Sequence, residues 1–306
     1  MELIIVAELV TISVSMDTEN HFIKIETSYI TLKNKRKLCY AQYGDPHGFP
    51  IFFFHGWPGS RLQGAGLHEA AMEANVRLIA IDRPGFGCSA YYDNRALLDW
   101  PCDVIVLADS LEINKFSVLG NSGGGPYAAA CGYSLYGRLH KVGICVGLSP
   151  TGINGVLKGM AWQSKCVWWA YHYVPFLTTL NALGFKIQDR FFPRHIPLAA
   201  SVDQKMIVED EHLYIRLVRN RKEAFRQGIK GVTQDVKIFT HDWGFNLKDI
   251  KAKMYLWYGA KDKNVSLKMA EVYERSVKGA VLKIYPDVGH LVLTKYAEEI
   301  LKELAQ

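Results

Sequence analysis

FSVLGNSGGGPYAAACGYSLYGRL, residues 116–139, decides how this chain reads. Phe116 to Leu119 is a short apolar run without polar interruption, the pattern of a strand buried on both faces. From Gly125 onward, small and apolar residues read as a helix. Between the two stands Gly120-Asn121-Ser122-Gly123-Gly124, a G-x-S-x-G on a strand-to-helix turn. Glycines there permit the tight geometry that exposes a serine hydroxyl. The alternative is a Gly-rich turn whose serine only caps the helix. Alone the pattern is weak, because Gly and Ser are common residues.

The flanking chain adds context. Apolar runs IFFF (51–54), VRLIAI (76–81) and KVGICVGL (141–148) alternate with helix-length stretches, and the pattern resumes with KMYLWYG (253–259) and VLKIY (281–285). Continuous apolar strands separated by helices indicate a parallel sheet covered on both faces. FIKIETSYITLKNKRKLCYAQY at 22–43 alternates apolar and polar residues around Asn34-Lys35, which predicts a hairpin and an antiparallel N-terminal edge. A last helix is predicted from Leu291, Tyr296, Ile300 and Leu304. From 151 to 235 no such strand occurs; the segment runs from Gly-rich through strongly aromatic to basic and helical. The expectation is an α/β core at 22–150 and 236–306 with a helical cap inserted at 151–235, and residues 1–21 as an N-terminal extension of undetermined order.

Composition narrows the class. The chain has 306 residues, 49% hydrophobic and 22% charged, which excludes disordered, collagen-like and coiled-coil proteins. A net charge of +6 without a dense basic stripe gives no indication of nucleic-acid binding. The densest basic run, Arg216, Arg219, Arg221, Lys222, Arg226 and Lys230, reads first as a solvated helix face and second as cap contact with an anionic membrane. MELIIVAELVTISVSM carries Glu2 and Glu8 and no basic start, so it is a poor signal peptide and too short to span a membrane. Cysteines at 39, 88, 102, 131, 145 and 166 show no CxxC and read as buried free thiols, which points to a cytoplasmic protein. No metal site and no cofactor are implied.

A serine hydroxyl needs a histidine to take its proton, and the histidine needs a carboxylate to fix its tautomer. In the chain order Ser…Asp…His, Asp262 follows the strand KMYLWYG and His290 follows VLKIY, both beyond carboxyl ends of parallel strands like Ser122. His140, His172, His195, His212 and His241 follow no recognisable strand. Asp287, three residues before His290, reads as a turn residue, and Asp189, Asp203, Asp210, Asp235, Asp242 and Asp249 fall in the insertion or its return. His55-Gly56-Trp57-Pro58-Gly59-Ser60 follows the strand IFFF. It is either a plain turn or a loop that aims the backbone N–H of Trp57, with that of Gly123, at a developing oxyanion. Pro58 has no N–H to give.

Together HGWPGSR (55–61), IDRPGFGCS (81–89), GNSGGG (120–125), the aspartate of YGAKDKNV (258–265) and GH (289–290) resemble the α/β-hydrolase superfamily, within it the branch with HG-x-PGSR and DRPG-x-G-x-S loops. QDVKIFTHDWGFNLKDI (234–250) is also similar to that branch. The resemblance implies an α/β-hydrolase fold with Ser122 as nucleophile, His290 as base, Asp262 as orienting acid and Trp57 and Gly123 as oxyanion donors, with no cofactor. Trp57 departs from the branch, which usually has a smaller residue, and its indole is expected to narrow the acyl pocket. Asp82 and Arg83 are implied to be structural, Arg83 holding loops together.

The function so indicated is a serine carboxylesterase acting on small to medium apolar esters. A serine at 122 argues against the dehalogenase and epoxide-hydrolase chemistries of this fold, which use a carboxylate. A proline-iminopeptidase-like enzyme is the alternative, its substrate amine held by cap carboxylates such as Glu209, Asp210 and Glu211. C–C bond cleavage on the same triad, or a ligand-binding protein without turnover, also fits the pattern. The aromatic stretch Met160–Phe176 predicts a helix buried on more than one side. Either it is ordinary lid packing, or its inner face, through Trp168 or Trp169, lines an apolar pocket with Trp57.

Overall fold

A computed structural model of the chain describes residues 10–14, 25–173, 177, 179–180, 182–184 and 200–306. In chain order the strands are β1 (Val10–Val14), β2 (Ile25–Thr31), β3 (Lys37–Gly44), β4 (Phe49–Phe54), β5 (Val76–Ile81), β6 (Phe116–Asn121), β7 (Leu139–Cys145), β8 (Met254–Gly259) and β9 (Val281–Tyr285). The helices are α1 (His68–Glu73), α2 (Asp99–Ser110), α3 (Gly125–Ser134), α4 (Trp162–Tyr173), α5 (Ser201–Glu209), α6 (Glu211–Ala224), α7 (Lys230–Thr240), α8 (Leu267–Ser276), α9 (Val292–Lys295) and α10 (Ala297–Ala305).

The strands form one sheet in the order β1-β2-β3-β5-β4-β6-β7-β8-β9. β1, β2, β3 and β5 pair antiparallel, and every pair from β5 to β9 is parallel. The predicted hairpin is therefore β2–β3, with Lys35 left-handed at its turn (φ 63°). Alternation along the strands sorts the core into two layers, because successive side chains point to opposite faces. Phe52 and Phe54 of β4 belong to the layer that also holds buried residues of α2, α3 and α8, whereas Ile51 and Phe53 belong to the layer of α1 and α10. The predicted last helix is two, α9 and α10, broken at Tyr296, whose ring stacks on Tyr285 at 3.9 Å between centroids.

Between β7 and β8 the described residues hold helices and no strand. Helix α4 corrects one expectation, since only one of its faces is covered. Ser164 and Tyr171 are buried, with Val167 and Trp168 partly so, while Trp162, Trp169 and Tyr173, spaced i, i+7, i+11, are 60–70% exposed. Val174, Pro175 and Phe176 of the aromatic stretch, and Asp189 and His195, lie outside the described residues.

The cysteines also differ from expectation. Cys39 on β3 and Cys88 in the loop after β5 are joined as a disulfide, because pairing of β3 with β5 brings their Cα atoms to 5.7 Å. Cys102 and Cys166 are exposed, leaving Cys131 and Cys145 as the buried thiols. Among the described residues no helix is long and apolar enough to cross a membrane.

Candidate active site

Ser122 follows directly on β6 with a left-handed backbone (φ 51°). That conformation is uncommon outside glycine, and the surrounding packing must enforce it. The enforcement is visible at the two motif glycines. A Cβ on Gly120 would stand 2.3 Å from the carbonyl oxygen of Gly124, and one on Gly124 would stand 2.1 Å from that of Phe54. Only glycine allows β6, β4 and the start of α3 to approach this closely.

The turn directs the Ser122 hydroxyl toward His290, whose Nε2 lies 3.0 Å from Oγ. His290 Nδ1 lies 2.7 Å from Asp262 Oδ2. Asp262 is itself fixed, because its Oδ1 accepts from the backbone N–H groups of Asn264 (2.7 Å) and Val265 (3.0 Å). Burial by itself would lower the His290 pKa, but the charge and hydrogen bond of Asp262, with a smaller push from Asp203, hold it above the ordinary value. Asp287 is elsewhere: its carboxylate is 78% exposed and 3.4 Å from the Lys261 ammonium. The structure thus brings Ser122, His290 and Asp262 into one hydrogen-bonded line and leaves Asp287 out.

The loop after β4 reaches the same point. His55 is fully buried; its Nε2 accepts from the Arg83 N–H (3.2 Å), so Nδ1 carries the ring proton and donates to the Gly56 carbonyl (2.8 Å). Burial and then Arg83 push its pKa well below the ordinary value, so the ring stays neutral. Arg83 also donates to the carbonyls of His55 and Gly56. In a trans peptide C=O and N–H point oppositely. Fixing the Gly56 carbonyl therefore fixes the plane of the Gly56–Trp57 peptide, and with it the line of the Trp57 N–H. The Trp57 nitrogen lies 3.2 Å from where a Gly123 Cβ would be.

Buried charges behind this loop were only partly legible in sequence. Arg83 and Arg95 share Asp235 of α7, which also accepts from the Tyr127 hydroxyl (2.5 Å), and all four side chains are buried. Arg61 is bracketed by Asp82 (2.6 Å) and Glu223 (2.7 Å). Asp82 also accepts from the Arg61 and Cys88 N–H groups and does not approach Ser122 through any of these bonds. Removing one partner of a buried charge network leaves the others desolvated and uncompensated. Asp235→Ala should cost about 3–5 kcal/mol in urea unfolding; a loss under about 1 kcal/mol would show that the arginines find other partners.

A cavity of about 320 Å³ opens over Ser122 and His290, a size suited to a small ligand. Trp57, Val167, Trp168 and Tyr171 contribute apolar lining, Asp203, Arg216 and Arg221 charge. Of the two expected tryptophans only Trp168 lines it, while Trp169 is turned to solvent beside Tyr173. Glu209, Asp210 and Glu211 are absent from the lining: Asp210 accepts from the Leu213 N–H at the start of α6 (2.8 Å), and Glu209 is 64% exposed beside Lys205. His212 and His241 are exposed. Asp203, Gln63 and Asn220 belong to the site through contacts that sequence reasoning did not find. Among the described residues no three His, Cys, Asp or Glu side chains gather as metal ligands would.

Residues 51–303 match the model of a family described as the alpha/beta hydrolase family. A non-heme chloroperoxidase of Burkholderia pyrrocinia is 30% identical over 98 residues, 32% of this chain and 35% of that enzyme's length. A non-heme haloperoxidase of Rhodococcus erythropolis is 23% identical across 90% of this chain and 97% of its own. Among solved structures, an esterase from Exiguobacterium antarcticum superposes with a TM-score of 0.69 at 18% identity, over 90% of this chain and 97% of the other.

Proposed function

Because the chain belongs to the alpha/beta hydrolase family, we propose that it is a cofactor-independent serine hydrolase, a carboxylesterase for small to medium apolar esters. The observation that carries this reading is the unbroken relay from Asp262 through His290 to Ser122, with links of 2.7 and 3.0 Å. In the proposed reaction Ser122 Oγ attacks the ester carbonyl carbon while His290 Nε2 takes its proton. Asp262 stabilises the imidazolium that forms. The N–H groups of Trp57 and Gly123 receive the oxyanion, a contribution on the order of 3 kcal/mol per donor. Collapse expels the alcohol, which takes the proton from His290 and leaves an acyl ester on Ser122. Water, deprotonated by His290, then attacks that ester, and Ser122 regains its proton as the acid departs.

The helical segment between β7 and β8 serves as the cap in this reading, with α4 supplying the apolar wall over the acyl group. The aminopeptidase alternative is not favoured, since Glu209, Asp210 and Glu211 do not face the cavity. The test is a screen of p-nitrophenyl esters of graded chain length beside aminoacyl-p-nitroanilides. Turnover of esters with little or none of the anilides supports the proposal, and the opposite preference overturns it.

Within that screen Trp168→Ala should shift the preferred acyl length, changing KM for longer esters several-fold, about 1 kcal/mol of lost apolar contact. Trp169→Ala, at a solvent-facing position, should leave the profile unchanged. Equal effects from both variants would place the specificity wall elsewhere.

A further inference from the structure

Helix α5 reaches the loop that carries His290. Asp203, in its first turn, is 1% exposed, and its carboxylate spans two consecutive backbone N–H groups, that of His290 at Oδ2 (2.7 Å) and that of Leu291 at Oδ1 (3.3 Å). A second observation ties the same pair together. A Cβ on Gly289 would stand 2.2 Å from Asp203 Oδ2 and 2.7 Å from its carboxyl carbon. The glycine before His290 is thus the residue that lets a carboxylate from the helical segment seat against the loop.

We infer that Asp203 is a positioning residue for the general base, one that makes His290 competent only when α5 is seated on the core. The inference rests on the serine-hydrolase reading of Ser122 and goes beyond it, by making the cap a structural part of the catalytic machinery. Two bonds to successive N–H groups fix both the height and the rotation of the loop. The Nε2 of His290 must stay within hydrogen-bond reach of Ser122 Oγ while Nδ1 stays on Asp262. Small misplacements of reacting groups carry large rate penalties. If α5 lifts away, the loop loses this clamp and His290 drifts from the relay.

Asp203 also faces His290 as a charge. Among the described residues, the groups that face the imidazole are Asp262 from the loop after β8, Asp203 from α5 and the Ser122 hydroxyl at the elbow. Arg216 and Arg221 line the same cavity, and the Lys261–Asp287 pair lies exposed on the adjoining loops. Asp203 stabilises the protonated ring. Its removal therefore lowers the pKa of His290, and the acid limb of kcat/KM moves to lower pH, as expected from losing a nearby negative charge. A purely structural role would not move that limb.

The experiment compares full-length wild type with Asp203→Asn, Asp203→Ala, Gly289→Ala and the double variant, on the shortest p-nitrophenyl ester turned over. Asp203→Asn is isosteric and keeps one acceptor, so its kcat should fall roughly tenfold, and that of Asp203→Ala roughly ten- to a hundredfold, with KM within about threefold. Both should show the acid limb displaced to lower pH. Gly289→Ala should behave like Asp203→Ala, because its methyl evicts the carboxylate. The double variant should be no slower than Gly289→Ala, since the methyl then occupies vacated space. Wild-type kcat and an unmoved acid limb in both Asp203 variants would overturn the inference, as would losses that multiply in the double variant. Should Asp203→Ala fail to fold, the pH limb of Asp203→Asn decides. A wild-type chain that neither turns over esters nor reacts at Ser122 sinks the hydrolase reading and this inference with it. An active wild type matched by its Asp203 variants sinks the inference alone.

Discussion

Ser122→Ala should reduce ester turnover to the uncatalysed background plus whatever the remaining site supplies, a loss of roughly 10⁶-fold in kcat. The size follows from the proposed roles. Without Oγ no acyl-enzyme forms, and neither His290 nor Asp262 has a proton to move. Folding should be almost untouched, for a specific reason. The strain of the left-handed backbone at position 122 (φ 51°) is borne equally by alanine, and among the described residues the hydroxyl's one hydrogen bond is to His290. The melting temperature should stay within a few degrees of wild type. Activity retained in this variant would place the chemistry on another residue.

Asp262→Asn carries the second large effect, on the order of 10⁴-fold in kcat, through the tautomer of His290. The geometry dictates the direction. Oδ1 of Asp262 accepts from two backbone N–H groups, so an asparagine keeps its oxygen there and presents its NH₂ to His290 Nδ1. Nδ1 must then act as acceptor, the ring proton moves to Nε2, and Nε2 can no longer accept from Ser122. Asp287→Asn, on a mostly exposed side chain, should leave kcat within about twofold, as most surface changes do. The wild-type pH profile is part of the same prediction. His290 must be neutral to act as base, so activity rises with pH. Since its pKa is held above 6.5, the rise should be centred above that value rather than at or below it. A midpoint below it, or Asp287→Asn as damaging as Asp262→Asn, would contradict the assignment.

What the sequence disclosed depended on how local the determinant is. The elbow was legible because glycines, an apolar strand and a helical run stand next to one another in the chain. Asp262 and His290 were legible because each directly follows a strand of recognisable pattern, and strand ends of a parallel sheet share one edge. Asp203 was not, since its place against Gly289 comes from how α5 docks on the core, and no periodicity encodes docking. The inner face of α4 was ambiguous for a related reason. Its aromatic residues surround the helix, so spacing alone does not separate Trp168 from Trp169. The Cys39–Cys88 pair escaped notice because it depends on β3 lying antiparallel to β5, a long-range pairing that cysteine spacing does not reveal. Asp235 stood in a recognisable stretch, yet its two arginine partners lie 140 and 152 residues away.

The central claim is that Ser122 is an activated nucleophile, and covalent labelling tests it most directly. Full-length protein is treated with a fluorophosphonate and its intact mass is measured, with Ser122→Ala and a reference serine esterase alongside. One adduct per chain is expected on wild type, located to the peptide containing Ser122, and none on Ser122→Ala. An unmodified wild type beside a fully labelled reference esterase, or an adduct that persists in Ser122→Ala, would contradict the claim.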